Sequence, residues 1–208
     1  MTAFNIMALT NETFLPLGDK DIRRSLIQRL SAQAPKAIIE ELHVHNGNAI
    51  ADVVTVHSEA HCYEIKGEGD NIQRILTQGK YYDLVFGKVT LVTTQNHLAR
   101  ALSIAPAHWG IMIAKRVGHE VKIAHERSAK RNRCFDKQSA LLTLWRSELA
   151  EVAMSVTSEK ISKLTRACLT ELIAQNLDQE KLLKNIGEKL IARVAKSESL
   201  DSYKLCAH

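Results

Sequence analysis

The chain has 208 residues, 45% of them apolar and 25% charged, with 28 Lys and Arg against 23 Asp and Glu for a net charge of +5. That composition excludes wholesale disorder, and a chain of this length can bury a real core. No run reaches the roughly 18 apolar residues of a membrane-spanning helix, the stretch MTAFNIMALTNETFLPLGDK lacks the regions of a signal peptide, and Cys62, Cys134, Cys168 and Cys206 form no CxxC pair, so a reduced cytoplasmic protein without membrane contact is expected.

Ile22, Leu26, Ile27 and Leu30 recur at helical spacing across 19–33, with Asp19 placed to cap the start. Beyond Pro35, KAIIEEL at 36–42 reads as a short helical or extended segment. The β-branched run AIADVVTVH at 49–57 predicts a strand, HCYEIK at 61–66 a second, and HSEA a hairpin turn between them. Gly67 and Gly69 flank a turn, and Asp70 is placed to cap a helix reaching Phe86, with Ile72, Ile75, Leu76 and Tyr82 as its apolar stripe. Gly79 inside that helix costs roughly 1 kcal/mol. A strand at 88–93, a helix around 95–104, and a hairpin of 110–114 with 120–124 follow. From Lys137 to Lys196 the pattern is helical, and Trp145, Leu149, Val152, Leu164, Leu169, Leu172, Leu182, Leu183 and Ile186 suggest a small bundle.

Charge divides the chain in the same places. Residues 1–124 hold 13 basic and 12 acidic side chains, residues 139–208 hold 10 and 9, and 125–138 hold five and two. The expected organisation is a mixed α/β core over 1–124, a basic connector over 125–138 and a helical module over 139–208. The connector, with Lys130, Arg131 and Arg133, reads either as a phosphate-contacting strip or as a solvated linker.

Chemistry concentrates in Asp52 and the run Glu64-Ile65-Lys66. Alternate residues of a strand share a face, so Glu64 and Lys66 point the same way. An odd-length hairpin loop, centred on Glu59, pairs Asp52 with Lys66 and brings all three to one face; a two-residue loop would separate them. Neighbouring carboxylates repel unless a cation lies between them. Mg²⁺ favours one or two carboxylates with waters and phosphate oxygens, and the Ile65 carbonyl can add a ligand. Such an ion acidifies a water for attack on phosphorus, while Lys66 orients that water or stabilises phosphoryl charge. The competing reading is an ordinary Asp/Glu/Lys surface cluster on a half-exposed hairpin.

The stretch from Ile38 to Ile111 carries IIEEL, NGNAIADVV, CYEIKGEGDNIQRILTQGKYYDLVFGKVTLVT and PAHWGI, with LWRSEL at 144–149 as a looser match. In this it resembles a small branch of the PD-(D/E)XK, or restriction-endonuclease-like, nuclease superfamily. The resemblance implies an αβββαβ core followed here by the helical module, dependence on Mg²⁺ (with Mn²⁺ as a substitute) and hydrolysis of DNA phosphodiesters. It implies Asp52 and Glu64 as metal ligands, Lys66 as the catalytic lysine, and Glu41, or else Glu40, as a further acid. Gln78 would be the supporting residue on the following helix, with Arg74 one turn earlier. Ala51 stands at the motif's proline position, a proline commonly absent in this superfamily, and Gly67 where the branch tends to carry serine.

Other features have two readings each. His43, His45, His57 and His61 are a conceivable zinc set or scattered surface histidines. Tyr81, Tyr82 and Phe86 are core or base-stacking residues, and Arg74 is either a structural partner of Asp70 at i, i+4 or a phosphate-supporting residue. Trp109 packs the final strand or acts in the site; Cys62 is a reactive or a buried inert thiol. No phosphate loop, dinucleotide fingerprint or nucleophile elbow is present in the sequence. The expected function is therefore a Mg²⁺-dependent DNA nuclease. The alternative is a nucleic-acid-binding or regulatory subunit of a larger complex with a nuclease-like core. The helical tail would serve homodimerisation, a protein partner or DNA docking.

Overall fold

In the computed structural model, residues 15–158 and 160–205 are described; the stretch read for a signal peptide falls mostly before them and Cys206 after them. Helix α1 spans Asp19–Ser31 and buries Ile22, Leu26 and Leu30. Its N-cap is Gly18, not Asp19. Asp19 lies inside the first turn and is held by Arg23 (2.9 Å), so its carboxylate serves an ion pair and leaves the helix end uncapped by a side chain. The ambiguous segment after Pro35 is a strand, β1, Ala37–Val44, which pairs antiparallel with β2, Ala49–Val56. Partnership with β2 decides what local propensity leaves open.

Strand β3 covers Ala60–Lys66 and pairs antiparallel with β2 through Val56↔Ala60, Val54↔Cys62 and Val53↔Tyr63. The loop is the odd one, but it centres on Ser58, one residue earlier than expected. The parity survives, and continuing the register sets Asp52 across from Glu64 instead of Lys66.

After β3 a single 3₁₀ turn, Ile72–Arg74, leads into α2, Ile75–Val85. Asn71 caps it, accepting from the Gln73 N–H; the Asp70 carboxylate instead accepts from the Gly67 N–H (2.6 Å) and closes the preceding turn. Ile72, Ile75 and Tyr82 are buried as expected, whereas Leu76 is exposed. Strand β4, Lys88–Thr94, runs parallel to β3. Helix α3, Leu98–Ile104, precedes β5, Gly110–Val117, which is parallel to β4 and forms a hairpin with β6, Glu120–Arg127. The six strands stand in the sheet in chain order.

Helices α4 (Lys137–Leu141), α5 (Arg146–Met154), α6 (Arg166–Asn176) and α7 (Gln179–Leu205) complete the chain. The sheet has a layer on each face. One apolar cluster joins α1 to Val53, Tyr63, Ile65, Val92 and Met112. The other joins α2 and the C-terminal helices to Val54, Val56, Cys62, Leu91 and Ile111. The helices after 137 thus share the core of the sheet and do not stand as a separate module. Gly187 of α7 shows how closely they dock, since a Cβ there would lie 2.8 Å from the Ser58 carbonyl.

The connector is likewise pinned. Part of it is β6, and buried Asn132 donates to the carbonyls of Asp83 and Phe86. Trp145, expected in the bundle core, is 59% exposed. Among the described residues no helix is long and apolar enough to cross a membrane.

Candidate functional site

At the carboxyl end of β3 a cleft of about 510 Å³ is lined by Asp19, Glu41, Asp52, Glu64, Ile65, Lys66, Asp70, Arg74 and Gln78, with residues 47–50. The structure therefore brings together Asp52, Glu64, Ile65, Lys66, Gln78, Glu41 and Arg74, all named from the sequence.

Each reaches the cleft for a local reason. Asp52 and Glu64 share a face because the hairpin loop is odd, and Lys66 follows two residues on. The Lys66 ammonium donates to Glu64 Oε1, and both side chains are buried. Asp52 Oδ2 accepts from the Ile65 N–H (2.7 Å), while Arg23 of α1 donates to Asp52 Oδ1 (3.2 Å) and to its carbonyl (2.8 Å). Glu41 sits between Glu40↔Val53 and Leu42↔Ala51, opposite Asp52, with φ of 54°. A left-handed backbone at a non-glycine residue stores strain of order 1–2 kcal/mol, and such strain concentrates at functional sites. Glu40 lies near Arg23 (3.8 Å) and does not line the cleft, so Glu41 is the further acid that the geometry selects.

The electrostatics follow from burial. Glu64, 1% exposed, has its carboxyl pushed up to about 7, chiefly by burial and then by the charge of Asp52, against the opposing pull of Lys66. Burial also raises Asp52, partly offset by the Ile65 N–H, Lys66 and Arg23. The Tyr82 hydroxyl lies 2.6 Å from both Glu64 Oε2 and the Ile50 carbonyl. A hydroxyl has one proton, so when Tyr82 donates to Ile50, a proton on Glu64 Oε2 completes the chain. Donation to Ile50 suits the protonated carboxyl, whereas donation to Glu64 Oε2 suits the carboxylate and opposes the rise.

Among the described residues no three His, Cys, Asp or Glu side chains converge on one point. The donor set is instead two carboxylates and a carbonyl, which suits Mg²⁺ with its remaining positions on water and substrate. Gln78 Oε1, in the same cleft, is buried without a hydrogen-bond partner. Protein charges alone leave Glu64 only partly ionised at neutral pH. An orphaned acceptor and surplus carboxylates both fit an added cation.

Lys130, Arg131 and Arg133 are not brought to this cleft. They line another, of about 800 Å³, with His108, Asn132 and Cys134. Arg131 pairs with Glu59 (2.9 Å), before the start of β3, whereas Lys66 ends that strand. At ~3.3 Å per residue the two ends lie roughly 20 Å apart. Arg127 and Lys137 of the same basic segment are spent on the carbonyls of Trp109 and Leu177.

Arg74 is exposed at the rim and makes no ion pair with Asp70. Of the histidines, His61 meets Thr90 (2.9 Å), stacks on Tyr63 and is held neutral by burial. Trp109 is fully buried against α2, where a Cβ on Gly79 would lie 2.9 Å from its ring, and it donates to Asp83 (2.7 Å). Cys62 is buried and its thiol is pushed well up, which makes it inert. Gly67 is tightly enclosed, since a Cβ there would lie 2.8 Å from the Leu17 carbonyl.

Three site residues escaped the sequence reading. The sequence presents Tyr82 only as a core or base-stacking residue, though it falls at i+4 from Gln78 on one helix face. Arg23 and Asp19 carry the same i, i+4 signal on α1, but nothing local ties α1 to Asp52.

A family model described as Bacteriophage P4 protein cII matches residues 17–201. No curated protein matches the chain. Among solved structures, a protein of unknown function from Silicibacter pomeroyi is 19% identical and covers 58% of this chain and 76% of its own, with a TM-score of 0.43, too low to carry an argument.

Proposed function

The chain belongs to the Bacteriophage P4 protein cII family, and for this member we propose a metal-dependent nuclease of the PD-(D/E)XK type that hydrolyses DNA. The observation that carries the reading is the meeting of Asp52, Glu64, Ile65, Lys66 and Gln78 in one cleft, with Lys66 on Glu64. The element order supports it: α1, β1, β2, β3, α2 and β4 follow one another as αβββαβ, with β1–β2–β3 antiparallel and β3–β4 parallel.

Asp52, Glu64 and the Ile65 carbonyl would hold Mg²⁺, with Glu41 and Gln78 beside them; when bound, the ion supplies charge neutralisation and lowers the pKa of a water. Glu64 must first give up its proton at Oε2, and Tyr82 then donates to that oxygen and fixes the carboxylate. Lys66, released from sole service to Glu64, donates from Nζ to a phosphoryl oxygen as negative charge grows there. Arg23 holds Asp52 in place through both its carboxylate and its carbonyl. Arg74 at the rim meets an adjacent phosphate.

The test is cleavage of labelled linear duplex, single-stranded and forked DNA with Mg²⁺, Mn²⁺ or EDTA. Metal-dependent cutting should fall by on the order of 10²-fold or more in Lys66→Ala while Mn²⁺ binding persists. No cutting and no Mn²⁺ binding would overturn the proposal. It would favour the binding or regulatory subunit, for which the internal neutralisation of both carboxylates by Lys66 and Arg23 speaks.

A further inference from the structure

A second cleft, of about 470 Å³, opens beside the first and shares Glu41 and Gly47 with it. Its far wall comes from the C-terminal helices: Leu142, Thr143, Trp145, Arg166 and Arg193. Resting on the nuclease reading for its neighbour, we propose that this cleft is a subsite for an unpaired nucleotide adjacent to the cleaved phosphodiester, with its base on Trp145 and its phosphate toward Arg166.

Trp145 is a large aromatic that the fold leaves 59% exposed. It is also held rigidly. Its backbone N–H donates to Glu148 Oε2 (2.7 Å) at the start of α5, and the Arg193 guanidinium lies over its ring, 4.2 Å from the centroid. Arg193 is in turn fixed by the same Glu148, through Nε (3.0 Å) and Nη2. Glu148 is only 9% exposed, so one buried carboxylate fixes both the Trp145 backbone and the cation behind its ring. An indole backed by a cation on one side and exposed on the other is a stacking platform.

Arg166 supplies the charge. Its guanidinium donates to Asn46 Oδ1 (3.0 Å) and to the carbonyls of Leu144 (2.8 Å) and Leu142. All three acceptors are neutral, its Nε is buried without a partner, and no carboxylate pairs with it among the described residues. Arg193 is neutralised by Glu148, so Arg166 is the cation of this wall whose charge remains open to an anion. The rim that the clefts share carries left-handed backbone at His45, Asn46 and Gly47, which bends the chain between them. A strand reaching from Lys66 to Trp145 would cross this rim.

The geometry selects the substrate class. Bases inside a duplex offer their edges in the grooves while their faces are stacked on neighbours. Only an unpaired or displaced base can lay a face on the indole. Single strands, flaps and distorted junctions fit the cleft, and continuous duplex does not.

The test uses the full chain in EDTA, so that no cleavage intervenes, with labelled oligothymidylate of about 12 nucleotides and a hairpin duplex of matching length. Wild type should bind the single strand more tightly than the duplex. Trp145→Ala should weaken single-strand binding on the order of tenfold or more, and Trp145→Phe should restore most of it. Because Trp109 is fully buried, quenching of intrinsic fluorescence by oligothymidylate should come from Trp145 and vanish in Trp145→Phe. Equal affinity of wild type and Trp145→Ala for oligothymidylate, or undiminished quenching in Trp145→Phe, would overturn the subsite. The two readings fail separately. Trp145-dependent binding without cleavage of any DNA leaves the subsite standing and removes the hydrolase. Lys66-dependent cleavage with binding indifferent to Trp145 does the reverse.

Discussion

Replacing Glu64 with Gln isolates the electrostatic cost of the cleft. Glu64 is 1% exposed, and its carboxyl rises from an ordinary 4.5 to about 7. Because the folded value lies above the unfolded one, the native state binds more protons between these two pH values. Stability must then fall as pH rises through the window and level off above it. A shift of this size, at ~1.36 kcal/mol per unit, amounts to about 3 kcal/mol. Glu64→Gln lacks the titration. The unfolding free energy of wild type minus that of the variant should therefore drop by about 3 kcal/mol between pH ~4 and pH ~8. Urea unfolding in EDTA, followed by tryptophan fluorescence at a series of pH values, measures it. Any constant offset from depriving Lys66 of its partner moves the whole curve without changing its slope. A difference that is flat, or that rises with pH, would refute the assignment of the proton to Glu64.

Three further outcomes follow from the same contacts. Mn²⁺ must displace the Glu64 proton, so its affinity should weaken up to about tenfold per unit below pH ~7 and plateau above it; titration calorimetry showing no change over that range would count against Glu64 as a ligand. Tyr82→Phe removes the hydroxyl that links Glu64 Oε2 to the Ile50 carbonyl, leaves that carbonyl without its donor, and should cost about 1–3 kcal/mol in chemical denaturation, where a neutral result would argue against the buried chain. Gly79→Ala should lower the Tm, because the added methyl meets the Trp109 ring at 2.9 Å. Overpacking of ~1–3 kcal/mol outweighs the ~1 kcal/mol gain in helix propensity, and a raised Tm would contradict that packing.

Much of the cleft was legible because its residues lie close in the chain on elements with clear periodicity. Glu64, Ile65 and Lys66 are consecutive on a strand, and Arg74 and Gln78 share a helix face. The odd hairpin loop needed only the parity of a strand. The loop centre falls one residue earlier than the sequence predicts, since a three-residue turn at 57–59 and a five-residue turn about Glu59 have the same parity. Arg23 was invisible for another reason: it meets Asp52 across 29 residues. The basic strip at 130–133 was the reverse case, conspicuous in charge yet placed at the other end of β3.

The sequence by itself determined the alternation of strands and helices, the acid–acid–lysine set and the shared face of its members. These depend on side-chain period and short-range turns, which local chemistry controls. Only the tertiary structure decided that KAIIEEL is a strand, that Glu41 and not Glu40 enters the cleft, and that Tyr82 and Arg23 hold its carboxylates. It alone placed the C-terminal helices on the sheet, so that exposed Trp145 stands beside the cleft instead of inside a separate bundle. These are contacts between residues far apart in the chain, set by which apolar faces bury each other, and no local window contains that choice.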